Sequence, residues 1–247
     1  MLKGGMAMHK LFILVSLFIY STFGFSMHIA EGFLPISWSL FWYALMLPFV
    51  MIGIRKISSL FEKDKRNLIS ISFVTGFVFV LSALKIPSVT GSCSHPTGVG
   101  FGAAIYGPFV TSVIGTVVLL FQALLLAHGG ITTLGANAFS MAIVGGIVGY
   151  STFRLLKKLK AKDSFSIFSA AFLADFSTYV VTSLQLALAF PSKEGGILGS
   201  FLKFGSVFIV TQIPLAIFEG ILSIFAYRFL LQYLNQNVES VVIKHEN

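Results

Sequence analysis

Internal disulfide chemistry is closed to this chain, because Cys93 is its single cysteine. Charge is nearly as scarce. Asp, Glu, Lys and Arg make up 11% of the residues, against about 25% in soluble domains. Meanwhile 56% are hydrophobic and the mean hydropathy is +0.90. That balance excludes a water-soluble globule and gives an integral membrane protein. No G-x-x-x-x-G-K-[ST] occurs, so no bound nucleotide is expected. Neither H-E-x-x-H nor G-x-S-x-G occurs, which argues against a zinc or serine hydrolase.

What is present is a series of apolar runs. Trp38–Ile54, Leu68–Leu84, Phe109–Ala127 and Ala136–Phe153 hold no charge, while Phe165–Phe190 holds only Asp175 and Phe204–Tyr227 only Glu219. Each is about long enough to cross a bilayer. The formal net charge of +8 comes mainly from short stretches between them. Arg55, Lys56, Lys63, Lys65 and Arg66 form one, and Arg154, Lys157, Lys158, Lys160 and Lys162 another. Cations so placed orient a membrane protein, with both stretches expected in the cytoplasm. No nucleic-acid partner is expected from them. Two stretches on one side need an even number of crossings between them. The apolar, glycine-rich Thr97–Tyr106 supplies the fourth, as a short helix or a returning segment, with Gly107-Pro108 interrupting any helix that continues through it.

The first residues read as a secretory signal. Lys3, His9 and Lys10 precede the uncharged run Leu11–Phe23, and Gly24-Phe25-Ser26 offers small residues at −3 and −1. The competing reading is an uncleaved anchor. Cleavage after residue 26 lowers the net charge from +8 to +6 and leaves one polytopic domain, 27–247. The expected fold is therefore an all-α membrane protein, a seven-segment bundle with the mature N-terminus outside and the C-terminus inside.

Cleavage would also make His28 the second residue. The Met27 amine, the His28 amide and the His28 imidazole then close five- and six-membered chelate rings on one metal ion. His95, in Gly91-Ser92-Cys93-Ser94-His95-Pro96, is the candidate for a fourth position. Four nitrogens near a plane suit Ni(II), Cu(II) and, with more distortion, Co(II). The alternative for His95 is a loop histidine bonded to its neighbours. Cys93 is an outside candidate, His128 a capping or gating residue, and Glu31 either orients the terminal segment or is solvated. Asn137 is a candidate to support a ligand from behind. Asp175 and Glu219 each cost roughly 2.5–3.5 kcal/mol at a helix centre on insertion scales, so each needs a partner or a proton, in a relay or subunit contact or, alternatively, in a structural hydrogen bond. Gln122, Asn137 and Gln185 are available. The glycines of Ala142–Gly149 favour close helix packing.

Three separated blocks resemble a known family. Met27-His28-Ile29-Ala30-Glu31-Gly32-Phe33-Leu34-Pro35 resembles the mature start of the CbiM/NikM family, the substrate-specificity components of cobalt and nickel energy-coupling-factor transporters. The block Leu84–Gly98 is similar to the cobalt branch, and Ala127–Asn137 matches a third block. The resemblance implies seven membrane helices with the terminal segment plugged into the bundle. It also implies a metal held by Met27, His28 and His95. The implied partners are a transmembrane coupling subunit, cytoplasmic ATPase subunits and a small accessory membrane protein, all within membrane lipid. The transported substrate would be cobalt(II) for corrinoid synthesis, with nickel(II) as the alternative. Ala30 departs from the methionine expected there. A membrane metalloenzyme using the same histidines, or an assembly protein without metal, is the competing class.

Overall fold

A computed structural model describes residues 28–84, 86–87 and 93–245 of the chain, with side chains through Tyr233 apart from those of Ile86, Pro87 and Cys93. The signal segment 1–26, the Met27 amine and the Cys93 thiol thus lie outside the described residues. Among the described residues seven helices follow one another. They are α1 (Ile36–Lys63), α2 (Arg66–Ala83), α3 (Val99–Tyr106), α4 (Pro108–Leu126), α5 (Leu134–Lys158), α6 (Asp163–Ala189) and α7 (Gly196–His245). Among the described residues six are long and apolar enough to cross a membrane, all but α3. The protein is an all-α membrane bundle. A two-residue antiparallel ladder, Ile86–Pro87 with Cys93–Ser94, closes the loop before α3.

Helix α3 has 8 residues and rises about 12 Å, less than half a bilayer core. It survives because it is enclosed in protein: Val99 through Ala104 are all buried. Its glycines allow that enclosure. A Cβ on Gly100 would stand 2.5 Å from the Ala171 Cα, and one on Gly149 would stand 3.0 Å from the Gly100 Cα. On α4, a Cβ at Gly115 would meet the Ala142 Cβ at 2.4 Å. The small residues around 142–149 thus bring α3, α4 and α6 against α5. Gly107, at φ 79°, ends α3, and Pro108 occupies the first turn of α4, where its missing N–H costs nothing.

Several helices outrun their apolar stretches. The first basic stretch is mostly helical, since α1 continues to Lys63 and only Asp64 and Lys65 connect it to α2. No glycine or proline interrupts residues 54–63, and lysines and glutamate favour helix. Arg66 hydrogen-bonds the Asp64 carboxylate and holds it below the usual carboxylate range. The second basic stretch likewise holds the end of α5, and Lys157 pairs with Asp163 across the turn into α6. Pro48 and Pro214 lie within α1 and α7, which membrane helices tolerate. Exposed Leu40, Leu47 and Met51 on α1 and Leu202, Val210 and Phe225 on α7 form an apolar outer surface.

Asp175 and Glu219 are fully buried, with partners other than Gln122, Asn137 and Gln185. Gln212 of α7 donates to Asp175, and the Thr97 backbone N–H and hydroxyl donate to Glu219. Gln122 instead bonds Ser82, and Gln185 bonds the Ala136 carbonyl. The reason is adjacency: α6 and α7 form a hairpin, so Gln212 faces Asp175, while Glu219 is carried to the start of α3.

Candidate metal centre

The terminal segment enters the bundle at the N-terminal end of α5. Gly32 (φ 69°) turns the chain, and Phe33 N–H bonds the Ala30 carbonyl at 3.1 Å. Ile29 and Leu34 are buried in a cluster with Trp42, Ala136 and Leu186. These contacts make the segment a plug, with His28 at its inner end and only 4% exposed.

Polar clamps fix the plug's register. Asn137 Oδ1 accepts the Ile29 N–H at 2.8 Å, and its Nδ2 donates to the Ile29 carbonyl at 3.1 Å. Thr133 Oγ1 adds a 2.6 Å bond to that carbonyl. Thr133 and Asn137 reach one peptide together because residues four apart share a helix face. One turn outward, Gly32 N–H donates to Thr132 Oγ1 at 2.9 Å, and the Glu31 carboxylate accepts the Thr132 N–H at 3.1 Å.

His128 comes from the end of α4. Ala127 adopts a left-handed conformation (φ 47°), and His128 N–H closes on the Gln122 carbonyl at 3.1 Å. The imidazole is thereby turned inward and is 1% exposed. Gly129 and Gly130 then pass beneath the plug. A Cβ on Gly129 (φ 78°) would stand 3.1 Å from the His28 Cβ, and one on Gly130 would stand 2.3 Å from Glu31 Oε2 and 2.4 Å from its Cα. Only glycine lets the two segments approach so closely.

His95 arrives on the loop before α3 and is fully buried. Its Nδ1 bonds the Pro96 carbonyl at 2.9 Å. That bond protonates Nδ1 and presents Nε2 as the lone-pair nitrogen, the arrangement typical of a histidine ligand. Tyr179 donates to the His95 carbonyl at 2.7 Å.

The three rings converge. Ring centroids lie 4.5 Å apart for His28 and His95, 4.5 Å for His28 and His128, and 5.1 Å for His95 and His128. One ligating nitrogen from each lies within 4.8 Å of the others. Two metal–imidazole bonds of about 2.1 Å set opposite each other span about 4.2 Å, so sub-ångström adjustment lets one ion bridge them. The structure brings His128 as close to His28 as His95 is, a proximity that sequence spacing does not show. Glu31 lies at the exposed turn above, and Asn137 supports the peptide that follows His28. Asp175 and Glu219 lie outside the trio. Gly130, Thr132, Thr133 and Tyr179 join the site without having been singled out from sequence. For Thr133 the four-residue step to Asn137 was the available signal; for Tyr179 there was none.

Known proteins resemble this chain over most of its length. A cobalt transport protein CbiM of Anoxybacillus flavithermus is 58% identical over 217 residues, covering 88% of this chain and 87% of the relative. One of Thermosipho melanesiensis is 56% identical over 227 residues, covering 92% and 95%. The crystal structure of a truncated transition metal transporter superposes with a TM-score of 0.73 at 25% identity, covering 83% of this chain and 99% of that one. Residues 28–236 match the profile described as the cobalt uptake substrate-specific transmembrane region, and the chain belongs to that family.

Proposed function

We propose that this protein is the metal-capturing subunit of an importer, with cobalt(II) as its cargo. Relatives named as transport proteins, and solved neighbours that are transporters, make it a transporter component and not an enzyme. The observation that carries the metal site is the burial of His28 beside His95, on a plug whose preceding residue is Met27. After cleavage at residue 26, the Met27 amine and the His28 amide would lie beside those rings. Cargo would enter from outside the cytoplasm as Co(II) displaces protons from the amine and the amide and binds both imidazoles. A deprotonated amide offsets part of the ion's charge, which matters because burying an uncompensated divalent ion is expensive.

Four nitrogens hold Ni(II) as well as Co(II). The cobalt assignment rests on the relatives' names and on the Leu84–Gly98 block. Without a P-loop, inward release would draw on ATPase partners reached through a coupling subunit, and the imported cobalt would supply corrinoid synthesis. The test is N-terminal sequencing of the purified protein, with metal content read from the same sample by elemental mass spectrometry. A start at Met27 with near-stoichiometric cobalt is expected. An intact residue 1 would overturn the amine–amide claw.

A second reading is favoured by the proximity of His128. Three imidazole nitrogens within 4.8 Å are themselves a ligand set. Acetylating the mature N-terminal amine separates the two. It abolishes cobalt retention if the amine and amide bind, and leaves it intact if three imidazoles suffice.

A further inference from the structure

The hydrogen bonds that hold the two sides of the metal site come from different parts of the bundle. Ile29 and Gly32, on the plug behind His28, are clamped by Thr132, Thr133 and Asn137 at the start of α5. The His95 loop is held from the α6–α7 hairpin. Ser94 Oγ meets Thr211 Oγ1 of α7 at 2.8 Å, the His95 carbonyl accepts from Tyr179 of α6 at 2.7 Å, and Thr97 gives its N–H and hydroxyl to Glu219 of α7. Three residues within a four-residue stretch are thus fixed by side chains more than eighty positions away in sequence.

We infer that Tyr179 and Glu219 are positioning residues for His95, acting through the backbone on either side of it. The inference rests on the reading of His95 as a metal ligand. Tyr179 sets where the His95 peptide sits, and Glu219 pins the peptide two residues later, at the entrance to α3. Between these two points the backbone has little freedom, and the Pro96 carbonyl bond sets the ring within that frame. Glu219 is a costly choice for a structural bond alone, since an amide or hydroxyl would meet Thr97 without placing an acid inside an apolar helix. What a carboxylate adds is simultaneous acceptance from the N–H and the hydroxyl of one residue, which locks both rotation and position.

The test titrates Co(II) into the purified, processed protein against a competing chelator, and records the visible absorption of the bound ion. Tyr179→Phe deletes one hydroxyl, and Glu219→Ala removes the clamp on Thr97. Both are expected to weaken Co(II) binding by about 10- to 100-fold, as loss of ligand-orienting partners does, and to shift the absorption bands because the fourth nitrogen moves. Glu219→Gln keeps one acceptor oxygen for Thr97 and loses the other, so it should recover only part of the affinity. A purely structural role would lower the Tm and leave the spectrum of the bound ion unchanged, which would overturn the inference. So would wild-type affinity in Tyr179→Phe, a variant too mild to prevent folding. His95→Ala, run alongside, separates the two ideas: unchanged binding there removes His95 as a ligand, whereas lost binding there with wild-type Tyr179→Phe removes only the positioning role.

Discussion

Asn137 engages both polar groups of the Ile29 residue, accepting its N–H at 2.8 Å and donating to its carbonyl at 3.1 Å. One side chain thereby takes the place of a neighbouring strand and fixes the register of the plug one residue after His28. Asn137→Ala leaves the Ile29 N–H buried and unpaired, at about 1–3 kcal/mol, and leaves the carbonyl to Thr133 alone. Cobalt affinity is expected to fall at least tenfold, while the helical content of the bundle is unchanged. Asn137→Asp should do no better, because a carboxylate cannot donate to the Ile29 carbonyl. Equilibrium binding by either variant decides the matter, and wild-type affinity in Asn137→Ala would show that this clamp does not seat the plug.

Gly130→Ala tests the same plug from below. Its Cβ would fall 2.3 Å from Glu31 Oε2 and 2.4 Å from the Glu31 Cα. The carboxylate end can swing aside; the backbone cannot without moving the segment. The plug should lift and cobalt retention should drop sharply, while Tm changes by only a few degrees because α1–α7 are untouched. Gly76 is the control, since nothing lies within 4 Å of a Cβ built there. Elemental analysis of the two purified variants, with a thermal melt on each, reads both halves of this expectation. Equal cobalt in the two would mean that the close approach at Gly130 is not required.

Much of the fold was legible because its causes are local. Apolar runs of bilayer length and breakers such as Gly107-Pro108 report on themselves. The extra turns of α1 beyond Ile54 were hidden because basic residues mark a membrane boundary without ending a helix. The site was half legible. His28 and His95 stand out through their chain neighbours, and Asn137 through its place beside glycines. His128 beside His28 depends on the left-handed turn at Ala127, and Tyr179 under His95 depends on how α6 lies against the loop. The partners of Asp175 and Glu219 were misplaced for the same reason: periodicity gives the face a residue occupies and is silent on which helix comes to meet it.

Proton competition gives the proposed site a signed pH dependence. Every nitrogen in it must be deprotonated to bind, and free α-amino and imidazole groups titrate near about 7.7–8.0 and 6.5. Apparent Co(II) affinity should therefore fall as pH drops from 8 towards 6, by roughly tenfold per unit for each proton displaced. The amide proton steepens the slope further. Acetylating the mature N-terminus should weaken binding at pH 8 more than at pH 6, because the amine is already protonated at the lower value. A flat profile over that range, measured by chelator competition, would exclude the amine and amide as ligands.

The buried pair of Asp175 and Gln212 is a question of stability, and Asp175 also meets Glu219. Gln212 donates to Asp175, and both are fully buried between α6 and α7. Gln212→Leu removes the amide donor and leaves Asp175 to Glu219 and Thr97, at about 1–3 kcal/mol for the lost bond. At roughly 2–4 °C per kcal/mol for a chain of this size, the Tm should fall by several degrees. Asp175→Leu in the same background removes the stranded acid and should restore most of the loss, because two apolar groups of matching shape need no bond between them. The coupling between the two substitutions, read from a double-mutant cycle of melting curves, isolates the pair from its surroundings. Additive effects would mean that the amide and the acid do not depend on each other, and that Asp175 draws its support from elsewhere in the hairpin.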